Sequence, residues 1–155
     1  MTNVPPEVPV QSSLDGLAPL FAQKVQILLS RVPYAKVAET TRTNARQVYL
    51  YGFGRDYDDG RGIVTHSHDA LDTWHHYGLA CDIIHSRYGW DARWSWWMEL
   101  GHVARTLGLT WGGDWKMADN PHVQWGPPMR RSPSPSAAKL WAMSPDALWR
   151  EVGAV

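Results

Sequence analysis

Thr73-Trp74-His75-His76-Tyr77-Gly78-Leu79-Ala80-Cys81-Asp82-Ile83 alternates small or polar residues with apolar ones from position 78 onward. A period of two belongs to a strand with one buried face, so residues 79–84 read as a central strand with Leu79, Cys81 and Ile83 on its apolar side. Asp82 stands on the opposite side, where Gly78 and Ala80 leave room for a ligand, and His75 lies just before the strand. Farther along, Asp114-Trp115-Lys116-Met117-Ala118-Asp119-Asn120-Pro121-His122 sets a carboxylate three residues ahead of a histidine. His75, Asp82 and His122 would together give a catalytic zinc ion three protein ligands and an open fourth position. Histidines at such spacing also occur as ordinary hydrogen-bonded residues, and the spacing alone leaves both readings open.

The surrounding pattern is that of an α+β domain. Leu17, Leu20, Phe21, Val25, Leu28 and Leu29 recur at helical spacing between Asp15 and Pro33. Val37-Ala38-Glu39-Thr40-Thr41 reads as a short strand with Arg42 at its exit, 44–51 as a helix, and 94–107 as a second amphipathic helix stopped by Gly108. Short strands near Thr110-Trp111 and Val123-Gln124-Trp125 complete a small antiparallel sheet with flanking helices. Residues 56–72 are polar and longer than most connections in compact domains, the kind of loop that carries function or moves. The division expected is a flexible leader at 1–13, one domain at 14–126, and a Pro/Ser-rich linker with a C-terminal helix packing on the domain at 127–155; Ser144-Pro145-Asp146 marks that helix's start.

Composition narrows the classes of function. With 155 residues, 44% of them apolar and 19% charged, the chain suits one globular core. Fifteen basic and fifteen acidic residues cancel, so no global field favours nucleic acid or an anionic membrane, and neither is expected as a partner. Cys81 is the single cysteine, which excludes an internal disulfide. No stretch approaches the roughly 18 apolar residues that span a bilayer, and residues 1–6 resemble no signal peptide. Synthesis in the cytoplasm without a signal peptide, as a monomer, is the expectation. Ten tryptophans against two phenylalanines suit a sugar- or peptide-facing surface as well as a core, and burial is expected for most.

Chemistry at a zinc centre needs more than ligands. Asp119 is placed by its spacing to serve as general base, and Asp114, between Gly113 and Trp115, reads instead as a turn or outer partner. Arg42 is the best cation in the chain for a developing oxyanion or a substrate carboxylate, the alternative being a plain ion pair at the strand exit. Cys81 falls on the apolar strand face, where a thiol is inert. His66, His68, Asp69 and Asp72 read mainly as solvated loop residues, with a second ion site as the sharper alternative. His76 should point away from the centre, and His85 and His102 read as structural.

The segment around His75 and Asp82 resembles the Ser-x-His-x-x-Gly-x-Ala-x-Asp motif of the D-Ala-D-Ala carboxypeptidase and L-alanyl-D-glutamate endopeptidase family, zinc enzymes that share a fold with the hedgehog signalling domain. Trp111-Gly112-Gly113-Asp114-Trp115 and Asp119-Asn120-Pro121-His122-Val123-Gln124 resemble its second motif. Arg42-Thr43, Gln47, Leu50-Tyr51 and Gly54-Arg55 resemble its Arg-containing segment, and Val64-Thr65 its approach to the first ligand. Thr73 departs from the pattern, standing where Ser is usual. The resemblance spans about residues 14–125 and implies zinc ligands at His75, Asp82 and His122, a catalytic base at Asp119, and a substrate or transition-state contact at Arg42. It implies hydrolysis of peptidoglycan stem peptides, with cleavage after L-Ala favoured over removal of D-Ala. The small size and the lack of a wall-binding domain resemble phage or prophage endolysins that act on the cell wall after release. The other readings are a zinc-fold binding module and a tail-associated structural protein, each without turnover.

Overall fold

The alternating segments pair as the centre of a four-stranded antiparallel sheet in the computed structural model, which describes residues 3–126 and 129–155. The strands are β1 (Ala35–Glu39), β2 (Ala80–His85), β3 (Thr110–Trp111) and β4 (His122–Gln124), in the order β1-β2-β4-β3. Five α-helices accompany them: α1 (Pro19–Arg31), α2 (Asn44–Gly52), α3 (Trp94–Thr106), α4 (Pro135–Met143) and α5 (Pro145–Glu151). The expected α+β architecture is therefore present, with one helix more than the sequence pattern announces. Pro133-Ser134-Pro135 reads as linker, but Pro135 occupies the first turn of α4, where its missing N–H costs nothing.

Residues directly opposite in an antiparallel pair share a face of the sheet. Cys81 lies opposite Val123, and Val123 opposite Trp111. These side chains join Ile83, Phe21, Val25 and Leu28 of α1, and Trp97, Leu100 and Ala104 of α3 in one buried cluster. Asp82 lies opposite His122, and Ala80 opposite Gln124, on the other face. One face is thus core and the other is free to carry chemistry. Cys81 is fully buried, and burial, assisted by the Asp82 charge, pushes its thiol upward, so it stays protonated and inert.

Local chemistry fixes the elements that border this second face. Thr43 caps α2 by accepting from Arg46 N at 3.1 Å, worth about 1 kcal/mol. Between Val37 and Glu39 the β1–β2 register shifts, so that Glu39 lies opposite Asp82. This bulge brings a second carboxylate beside the first. Gly78 does not serve as space above Asp82, as its position in the strand pattern suggests; it adopts φ +67°, and a Cβ there would collide with the Gly16 carbonyl oxygen.

The tryptophans divide as their burial dictates. Trp74, Trp96, Trp97, Trp111 and Trp125 are buried, whereas Trp90 and Trp94 are exposed. Several buried or half-buried indoles donate to carbonyls of irregular segments: Trp74 to Arg130, Trp96 to Pro33, Trp111 to Asn120, Trp125 to Val152 and Trp149 to Tyr77. Each anchors a loop or the C-terminal helices to the core. Residues 3–13 contain no regular element, yet Gln11 O and Ser13 O accept from Thr40, and Val8 O accepts from Arg46.

Candidate metal centre

His75, Asp82 and His122 converge on the open face of the sheet. Pairing across β2 and β4 sets Asp82 beside His122, and the turn before β2 brings in His75. One ligand atom from each lies within 4.8 Å of the others. His75 Nε2 is 3.5 Å from Asp82 Oδ2, and His122 Nδ1 is 3.7 Å from Asp82 Oδ1. Donors held about 2 Å from a tetrahedral ion stand roughly 3.4 Å apart, so these separations suit a tetrahedrally held metal ion.

The outer partners decide which nitrogen each imidazole presents. His75 Nδ1 lies 2.8 Å from the Thr40 carbonyl oxygen, which only accepts, so Nδ1 carries the proton and Nε2 offers its lone pair to the site. Gln124 Nε2 donates to the Arg130 carbonyl at 3.1 Å, which fixes the amide so that Oε1 accepts from His122 Nε2 at 2.9 Å. His122 therefore presents Nδ1. Both rings are held in ligand orientation by acceptors behind them, the arrangement expected around a bound metal. Replacing Gln124 by Leu, similar in volume, should leave the fold intact but weaken metal affinity about 10- to 100-fold in a competitive chelator titration. Unchanged affinity would show that Gln124 does not orient His122.

The electrostatics agree with a cation site. Burial opposes ionisation of Asp82, but the neighbouring His75 and His122 rings and Arg42 overcome it and hold the carboxyl well below its usual range. Burial likewise opposes the His122 cation, yet Asp82 and Asp119 hold that ring above its usual value. A metal ion must displace this proton, so its binding weakens as pH falls. Asp119 is pushed up by partial burial and by the Asp82 charge.

The other candidates fall in distinct places. Asp119 Oδ2 lies 3.9 Å from His122 Nδ1, and its side chain is 47% exposed at the cleft. Gly112 makes this position accessible: Asp119 N donates to Gly112 O at 2.9 Å, and any Cβ at 112 would strike the Asp119 carbonyl oxygen. Asp114 instead faces outward, paired with Arg105 at 2.9 Å. Arg42 reaches the site, but its guanidinium is engaged: Nε and NH2 donate to Glu39 Oε1 at 3.1 and 2.5 Å, NH1 to Gln47 Oε1 at 3.1 Å, and NH2 to Asp82 Oδ2 at 3.4 Å. It bridges the two carboxylates that the β1 bulge sets side by side and is not an unpaired cation. His76 packs against Tyr77 and Trp141, His85 is buried between Tyr34 and Trp96, and His102 is exposed on α3.

Around the centre lies a cleft of about 1030 Å³, walled by Val64–Ser67 and Asp72 of the long loop on one side and by Trp115, Met117 and Arg131 on another. Gln47 Nε2 holds the loop through Thr65 Oγ1 at 3.2 Å and Ser67 O at 2.5 Å. No second group of metal-binding side chains occurs among the described residues. Glu39, Gln47 and Gln124 received no role from sequence spacing. Gln124 was within reach of it, since a residue two positions from His122 on a strand shares its face.

Residues 67–125, which hold His75, Asp82, His122 and Asp119, match the family model described as D-alanyl-D-alanine carboxypeptidase. Over these residues the chain is similar to that peptidase family. It is also 35% identical over 103 residues to the peptidoglycan L-alanyl-D-glutamate endopeptidase CwlK of Bacillus subtilis (strain 168), an alignment covering 59% of this chain and 60% of that protein. The chain thus spans less than two thirds of that relative's length. Family description and relative name different bonds, so the similarity does not choose between them. No helix among the described residues is long and apolar enough to cross a membrane.

Proposed function

We propose that this chain is a zinc-dependent peptidase of peptidoglycan stem peptides that cuts the bond between L-alanine and D-glutamate. The observation that carries the reading is the pair of imidazoles locked in ligand orientation beside Asp82, with Asp119 at the mouth of the same cleft. Cleavage after L-Ala is preferred to removal of D-Ala because CwlK is named for that cleavage.

A zinc ion held by His75, Asp82 and His122 would polarise a peptide carbonyl and acidify a water molecule. The remaining work belongs to side chains. Asp119, with its raised proton affinity, takes a proton from the attacking water and returns it to the departing amine nitrogen. Arg42 acts in this reading as a positioning residue: by neutralising Glu39 and Asp82 together it keeps the Asp82 carboxylate where the ion needs it. A direct contact between Arg42 and substrate, which the family resemblance implies, would fall to the second NH1 hydrogen, the one N–H these four bonds leave over. The binding-module reading gains nothing from this arrangement, which supplies a proton carrier that mere binding does not use. An endolysin role, reached through the resemblance, belongs to the same proposal and is tested by adding the protein to cells from outside.

Incubation with purified peptidoglycan should release new amino groups at a rate that a chelator abolishes and added zinc restores. Release that persists after the metal is removed would contradict the reading.

A further inference from the structure

Arg42, Arg46, Arg61 and Arg131 line the cleft, and three of them are already paired. Arg42 and Arg46 hold Glu39, and Arg61 holds Asp59. Arg131 makes no ion pair among the described residues. Its guanidinium carbon lies 4.5 Å from the centroid of the Trp115 ring, and Trp115 in turn lies 5.0 Å from the ring of His122. A single indole therefore separates this cation from a metal ligand.

The position is built, although it lies in the segment that reads as linker. The Arg130 carbonyl accepts from Trp74 Nε1 at 2.8 Å and from Gln124 Nε2 at 3.1 Å. Trp74 precedes His75, and Gln124 is the residue that orients His122. The backbone next to Arg131 is thus tied to the two segments that carry the ligands. A guanidinium lying on an aromatic face spends its flat side on that contact and keeps its N–H edge free for a carboxylate.

We infer that Arg131, steadied by Trp115, forms a carboxylate-binding subsite that selects substrates by the free acid beside the scissile bond. The inference rests on the stem-peptide reading above. In a peptide cut between L-alanine and D-glutamate, the glutamate gives its amine to the broken bond and, being joined onward through its side chain, leaves its α-carboxylate free. Amidation of that carboxylate removes the charge while preserving shape. Arg131 lies outside residues 67–125, so this subsite belongs to the C-terminal segment and not to the part of the chain that matches the family model.

The test uses two synthetic stem peptides, one with the free α-carboxylate on D-glutamate and one with the α-carboxamide, cut by the full chain loaded with zinc. The wild type should favour the carboxylate about 10- to 100-fold in kcat/KM, mostly through KM, the scale of one charge-assisted hydrogen-bonded pair. Arg131→Ala should bring that ratio close to one, and Arg131→Lys should keep part of it. A general loss of fold or metal lowers both rates together and leaves the ratio where it was. An unchanged ratio in Arg131→Ala, or equal cutting of both peptides by the wild type, overturns the subsite while leaving the peptidase reading intact. Failure of the wild type to cut either peptide overturns the peptidase reading, and the subsite falls with it.

Discussion

His122→Ala is expected to strip the bound metal and abolish hydrolysis, and His75→Ala to do the same. Each ring is buried, has one nitrogen committed to an outer acceptor, and offers the other beside Asp82. Alanine leaves a two-ligand site in which a small cavity replaces the donor, and two protein ligands do not make a catalytic zinc centre. The loss should exceed the roughly 10- to 100-fold in affinity that removal of an outer partner costs. Metal analysis of the purified variants by mass spectrometry checks this. Full zinc content in both would sink the assignment of the ligands.

Asp119→Asn should leave the metal bound and the fold unchanged while lowering turnover by about 10²- to 10⁴-fold, the range for general acid–base catalysis. The substitution keeps size and the backbone bond to Gly112 but removes the group that carries the proton. Asp114→Asn should have a far smaller effect, because Asp114 is exposed and pairs only with Arg105, an ion pair worth less than about 1 kcal/mol. Comparing kcat for the two variants on one stem peptide decides between them. The reverse ranking would mean that the proton passes through the wrong carboxylate for this account.

Much of the centre was legible because strands write their faces into the sequence with a period of two. Alternation around Asp82 marks the core face and the open face in the sequence itself, and β4 needs only three residues to set His122 opposite Asp82. Asp119 could be preferred to Asp114 from its distance to His122 along the chain. What could not be read was pairing between distant segments. The shift of register between Val37 and Glu39, which sets Glu39 against Asp82 and so consumes Arg42, leaves no mark in composition or periodicity. The same holds for Arg131, whose segment carries the prolines and serines of a linker but is pinned by Trp74 and Gln124. Helix α4 was hidden for a related reason, since a proline that ends one pattern also begins a helix. Gly78 looked like room for a ligand and proved to be room for the backbone at Gly16.

The most direct test of the central claim is mass spectrometry of the fragments released when the zinc-loaded chain digests purified peptidoglycan. The account predicts peptides that begin with D-glutamate and glycan strands that retain L-alanine, both absent when a chelator is present. Release of free D-alanine alone, or no release of peptide at all, would contradict it.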